Sequence, residues 1–165
     1  MTNPPPSPIL VIGYGNNLRS DDGVGVRVAQ VLDEWSLPDV RSLPVRQLTP
    51  ELAAEIAAAQ QVIFVDAYPA LPRENLQVFR LSFSSSKMMS SHASNPWALL
   101  ALTCTAYNRC PTAWWVLIPG TNFELGDRLS PTARRGMAQA LKQIVYLIQG
   151  REQPTQNLAA TKPSA

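Results

Sequence analysis

The sequence contains a single histidine and only two cysteines. Because His92 is the one histidine among 165 residues, neither an H-E-x-x-H helix nor a three-histidine zinc centre can form. Any metal would therefore be held mainly by carboxylates. Cys104 and Cys110 are too few and too far apart for a C-x-x-C redox or zinc motif, so we expect them to be reduced structural thiols.

Net charge and long apolar runs are also scarce. The 14 Lys and Arg residues are scattered, and with 12 Asp and Glu they leave a net charge of +2. This balance disfavours nucleic acid and membrane surfaces as main partners. No apolar run reaches the ~18 residues needed to span a bilayer, and the N-terminus lacks the basic and apolar regions of a signal peptide. We therefore expect a cytoplasmic protein, and we treat it as a monomer.

The length of the chain is that of one domain with a substantial core. Residues 1–7 and 151–165 are rich in proline and polar residues and lack apolar periodicity, which predicts two disordered tails. Residues 8–150 are then a single α/β domain.

The most informative stretch runs from Ile9 to Gly25 and reads I-L-V-I-G-Y-G-N-N-L-R-S-D-D-G-V-G. Its four leading apolar residues predict a buried strand, the glycines allow a sharp turn, and Ser20 is predicted to open a helix that ends near Trp35. Asp21 and Asp22 then fall in the first helical turn, at the carboxyl edge of the predicted sheet. Open α/β folds place their binding sites at this edge.

Two other interpretations of this stretch compete with a functional site. G-Y-G-N-N-L resembles the start of a dinucleotide-binding fingerprint, but Leu18 stands where the third glycine belongs, and the two acids would repel a pyrophosphate. Alternatively, Ser20 is only an N-cap, and Asp21 and Asp22 only complement the helix dipole, each contributing ~0.3–1 kcal/mol.

The remaining patterns predict an alternation of strands and helices. Pro44 places the second strand at a sheet edge or bulge, and Asp66 ends the clearest strand, so that its carboxylate reaches the same edge as Asp22. The following strand is joined by too short a connection for a crossover helix and should be antiparallel, which makes the sheet mixed. The predicted elements are a strand over 40–48, a helix over 52–59, strands over 61–66 and 75–83, a serine-rich loop up to 94, a helix over 96–107, a strand over 113–118 and a final helix capped by Ser130.

Three side chains are left as candidate ligands: Asp22, Asp66 and His92. Two carboxylates and one imidazole suit a borderline divalent ion such as Ni²⁺ or Zn²⁺, with coordination positions left open. A Ser-His-Asp triad is formally available from the composition. However, no G-x-S-x-G elbow or other rigid mount for a nucleophile is present, so this alternative is weaker.

The sequence resembles the hydrogenase maturation endopeptidases, which trim the C-terminal extension of the [NiFe] hydrogenase large subunit after nickel insertion. The resemblance rests mainly on G-Y-G-N-N-L-R-S-D-D-G-V-G, and further on V-I-F-V-D-A, the loop histidine ahead of a helix, and I-P-G-T-N-F-E-L-G-D-R-L-S-P-T. It implies a three-layer α/β/α sandwich around a twisted, mostly parallel mixed five-stranded sheet.

By position, this resemblance gives Asp22, Asp66 and His92 the catalytic and metal-contacting roles of the family. It implies that the nickel belongs to the immature large-subunit precursor, so that the protease needs no tightly bound cofactor of its own. The chain departs from the family at Arg46-Gln47-Leu48-Thr49-Pro50, where a G-G-T-type turn is usual. This departure keeps a second hypothesis open, that of a non-catalytic nickel-site chaperone, and a nucleotide-binding enzyme is the third.

Overall fold

A computed structural model describes residues 8–83 and 95–150. The two predicted tails and the loop segment that carries His92 lie outside these residues. The elements, in chain order, are β1 (Ile9–Tyr14), a 3-10 turn (Ser20–Gly23), α1 (Val24–Trp35), β2 (Val40–Val45), α2 (Leu52–Ala57), β3 (Gln61–Pro69), β4 (Gln77–Leu81), α3 (Pro96–Tyr107), β5 (Thr112–Gly120) and α4 (Pro131–Ile148).

The strands form one mixed sheet in the order β2-β1-β3-β5-β4. β1, β2, β3 and β5 are parallel, and β4 pairs antiparallel with β5 at one edge. β2 forms the other edge, as Pro44 predicts, because a proline cannot donate to a further strand. The predicted fold class is therefore confirmed: a mostly parallel, mixed five-stranded sheet.

Helices cover both faces of this sheet. Successive strand residues alternate between two cores: Ile12 and Phe64 pack with α2 and α3 on one face, whereas Val11 and Ile63 pack with α1 and α4 on the other. Parallel strands buried on both faces need such near-continuous apolar runs. The arrangement is the expected three-layer sandwich. None of the helices within residues 8–83 and 95–150 is long and apolar enough to cross a membrane.

Two predictions about strands and cysteines differ from the structure. β3 does not end at Asp66, because it continues beside β5 as far as Pro69 after its pairing with β1 has ended at Val65. Cys104 and Cys110 are not free thiols but form a disulfide, with their Cα atoms 4.6 Å apart.

Candidate active site

The segment after β1 does not open directly into an α-helix. Ser20 has a φ of 51° and begins a 3-10 turn, and α1 starts only at Val24. The predicted N-cap role of Ser20 is wrong, since its hydroxyl instead donates to the carbonyl oxygen of Glu124 at 2.8 Å. The turn is therefore fastened to the β5–α4 loop rather than capped by its own first residue.

Asp21 is completely buried at the centre of this junction. Its carboxylate accepts hydrogen bonds from the backbone N–H groups of Thr121 (2.8 Å), Asn122 (3.0 Å) and Ser130 (2.7 Å), and from the Ser130 hydroxyl (2.7 Å). Burial alone would raise the pKa of Asp21, but these four hydrogen bonds outweigh it and hold the pKa below its ordinary value of 3.8. Asp21 thus ties the β5–α4 loop and the start of α4 to the 3-10 turn.

The backbone of the β1 loop has few N–H groups left for a phosphate. The N–H of Gly15 donates to the Val45 carbonyl, that of Asn16 to the Asp22 carboxylate, and those of the 3-10 turn to carbonyls within the loop and across from it. A dinucleotide fingerprint works by offering such groups to a pyrophosphate. Because they are already satisfied within the protein, the geometry disfavours a nucleotide at this loop.

Asp22, next to the buried Asp21, is only half-buried. Its Oδ2 atom accepts the backbone N–H of Asn16 at 2.8 Å, and the Asn16 side chain accepts the N–H of Leu18 at 2.9 Å. Gly15 lies at a φ of 143°, and a Cβ atom there would overlap the Asp22 carbonyl oxygen. Gly15 and Asn16 therefore shape the loop around the Asp22 carboxylate.

Asp66 lies on β3, immediately beyond the last residue paired with β1. It is half-buried, and its Oδ1 atom accepts the N–H of Ala67 at 2.7 Å. The neighbouring β1 residue on the same face is Tyr14, which is only 8% exposed. The negative charge of Asp66 raises the pKa of the Tyr14 phenol, which places the two side chains near each other.

The pKa of Tyr14 indicates that Asp22 and Asp66 both lie near its phenol group. Burial raises the pKa of Tyr14 well above its ordinary value of 10.0, and the negative charges of Asp66 and, more weakly, Asp22 raise it further. Both carboxylates are therefore within electrostatic reach of one neutral phenol. The sequence offers no signal for Tyr14 beyond its place between two glycines, and its role depends on which face of β1 it occupies.

The structure thus brings together two of the three predicted ligands. His92 lies outside the described residues, and within residues 8–83 and 95–150 no three His, Cys, Asp or Glu side chains are grouped closely enough to hold a metal ion. Two carboxylates at a sheet edge can contact a cation whose other ligands come from elsewhere.

The fold is shared with solved structures that cover most of the chain. A [NiFe] hydrogenase maturation protease HybD from Thermococcus kodakarensis matches with a TM-score of 0.65 and 19% identity, over 84% of this chain and 97% of its own. The chain has the fold of the hydrogenase maturation proteases. The maturating endopeptidase HybD from E. coli matches at 0.61 and 23% identity, over 86% and 92% of the two chains.

A hydrogenase 2 maturation peptidase from a Thaumarchaeota archaeon matches with a TM-score of 0.62 and 24% identity, over 87% of this chain and 99% of its own. No protein-family model matches the sequence, and no curated protein sequence does. At these identities the structural likeness establishes the fold, so the activity must be argued from the residues of the site.

Proposed function

We propose that this protein is an endopeptidase that removes the C-terminal extension of a nickel-loaded [NiFe] hydrogenase large-subunit precursor in the cytoplasm. The observation that carries the proposal is the convergence of Asp22 and Asp66 on Tyr14, at the carboxyl edge of the sheet. These are two of the positions that the family resemblance assigns to nickel contact. The fold shared with three maturation proteases supports the same conclusion.

In the proposed mechanism, Asp22 and Asp66 contact the nickel that is part of the substrate, and His92 supplies the third contact. Two carboxylates and one imidazole leave coordination positions open, which suits a metal that arrives already held by its precursor. The metal would polarise the scissile carbonyl or lower the pKa of a bound water. In either case water adds to the carbonyl carbon, the C–N bond breaks, and the new amine takes up a proton.

Substitutions at Asp22 test the proposal. Asp22→Asn keeps the side-chain size but removes the anionic ligand, whereas Asp22→Glu keeps the charge and moves it by one methylene. Processing of the nickel-loaded precursor, seen as a gel shift, should be lost in the first variant and partly retained in the second. Asp33→Asn, which removes an exposed acid on α1, is the matched control and should process normally.

The same assay separates the protease from its rivals. A wild-type protein that binds the nickel-loaded precursor but never shortens it would be a chaperone that inspects the nickel site. Saturable binding of NAD(P) or ATP would favour the nucleotide-binding alternative, which the satisfied backbone of the β1 loop disfavours.

The proposal also includes the absence of a tightly bound cofactor. Calorimetry of the purified protein should give only weak affinity for Ni²⁺, Zn²⁺ or Cd²⁺, because the side chains leave the coordination shell incomplete. Asp66→Ala should weaken this binding further. Equal metal affinity in Asp66→Ala and wild type would show that Asp66 does not contact the metal.

A further inference from the structure

A groove opens near Asp22, between the β1 loop and the end of the edge strand β2. Its volume is about 370 Å³, which falls within the range of small-molecule and peptide side-chain sites. The lining residues that matter here are Gly15, Asn16, Leu18, Gln30, Val45 and Arg46.

The groove is continuous with the candidate active site. Asn16, which lines it, donates its backbone N–H to the Asp22 carboxylate at 2.8 Å. Gly15, also in the lining, donates its N–H to the carbonyl of Val45 at 3.3 Å, which fixes the β1 loop to the end of β2. A chain whose reacting bond lies at Asp22 can therefore extend directly into the groove.

Arg46 is the one charged residue among those that line the groove. Its side chain is exposed, and it has no hydrogen-bond or ion-pair partner among the described residues, in contrast to Arg41, which pairs with Glu55. The other lining side chains are apolar or neutral amides. The groove thus presents one unpaired guanidinium beside a site whose own charges are negative.

We propose that this groove binds the segment of the precursor next to the scissile bond, and that Arg46 selects a carboxylate in that segment. The inference rests on the proposed peptidase function and adds the chemistry of the substrate. A guanidinium binds carboxylates in a bidentate manner and keeps its charge at all relevant pH values. The carboxylate belongs either to an acidic side chain or to the C-terminus of the precursor.

The affinity of the groove for this segment can be measured by fluorescence anisotropy with a labelled synthetic peptide that spans the precursor's cleavage site. Arg46→Gln should raise the Kd about tenfold, as expected for the loss of one charge-assisted contact, and Arg46→Lys should recover part of the affinity. Arg109→Gln is the matched control, because Arg109 is exposed in the α3–β5 connection, at the amino-terminal edge of the sheet. Its Kd should equal that of wild type.

Two modified peptides identify the carboxylate. One has its acidic side chains replaced by amides, and the other has an amidated C-terminus. If one modification makes the Kd values of wild type and Arg46→Gln equal, the carboxylate that it removes is the one that Arg46 binds. A difference in Kd that survives both modifications would overturn the inference. Equal binding of the unmodified peptide by wild type and Arg46→Gln, or no binding by wild type, would overturn it as well.

A kinetic assay of precursor cleavage tests this inference separately from the proposed peptidase function. Arg46→Gln should raise KM by about the same factor as Kd and leave kcat unchanged, since Arg46 acts on binding. If peptide binding depends on Arg46 but wild type never cleaves the precursor, the groove still binds this segment and the proposed peptidase function is wrong. Normal cleavage with an unchanged KM in Arg46→Gln would overturn the role of Arg46 alone.

Discussion

Asp21 and Ser130 are 109 residues apart in the chain, yet they are joined by two hydrogen bonds of 2.7 Å, from the backbone N–H and the hydroxyl of Ser130. The same hydroxyl accepts the N–H of Ala133 at 3.1 Å and so caps α4. One buried carboxylate therefore fixes the 3-10 turn relative to the last helix. The neighbouring Asp22 is held at the sheet edge by this connection.

The two adjacent acids should differ sharply in their effect on stability. In Asp21→Asn, the new amide N–H group would face backbone N–H donors in a fully buried place, and we expect a loss of about 2–4 kcal/mol of unfolding free energy. Asp22→Asn retains an oxygen that can accept from Asn16 and should cost about 1 kcal/mol or less. Urea unfolding followed by circular dichroism measures both. Similar losses in the two variants would contradict the different roles of these acids.

Acid should remove the contribution of Asp21 in a defined window. The pKa of Asp21 is lowered by folding, so its stabilising effect is fully present above the unfolded value of 3.8 and is lost as the pH falls through the lower folded value. The stability difference between wild type and Asp21→Asn should therefore be constant near neutrality and narrow below about pH 4. Urea midpoints of both proteins across this range measure it. A difference that persists unchanged in strong acid would mean that the charge of Asp21 is not what stabilises the fold.

The fold and the positions of Asp22 and Asp66 could be predicted because their signals are local. The apolar runs of β1 and β3 define buried parallel strands, and residues just after these apolar runs fall towards the carboxyl edge. The antiparallel β4 followed from a connection too short for a crossover. Each of these inferences needed only a few neighbouring residues.

Other features could not be predicted because they depend on distant contacts. The donors to Asp21 come from the β5–α4 loop and the α4 cap, so the sequence around Asp21 does not indicate them. The disulfide depends on how α3 ends: Asn108 adopts a left-handed conformation with a φ of 54° and turns the chain, which allows Cys110 to reach Cys104.

Reduction of this disulfide should lower stability but leave processing intact. Closing so short a loop contributes about 2 kcal/mol or less, and the bond lies at the α3–β5 connection, at the edge of the sheet opposite Asp22. Urea unfolding with and without dithiothreitol should show the difference, together with a thiol titration. The double variant Cys104→Ala/Cys110→Ala should not respond to the reductant. Loss of precursor cleavage on reduction would instead connect this bond to the active site.

Tyr14 should contribute to the rate of processing more than to stability. Tyr14→Phe keeps the buried ring and removes the hydroxyl that lies near the Asp66 carboxylate, so we expect the unfolding free energy to fall by only about 0.5–1.5 kcal/mol. Without this hydroxyl, the position of the Asp66 carboxylate relative to the metal of the substrate should be less well fixed. A small misplacement of such a group lowers the rate substantially, and we expect kcat to fall about tenfold or more.

A steady-state assay with nickel-loaded precursor separates this positioning role from a purely structural one. In Tyr14→Phe, kcat should fall while KM stays close to the wild-type value, because Tyr14 lies near Asp66 and is not among the residues that line the Arg46 groove. Tyr107→Phe, at the exposed end of α3, is the control and should match wild type. Wild-type kcat in Tyr14→Phe would show that Asp66 is oriented without the phenol, by the Ala67 N–H and its other contacts.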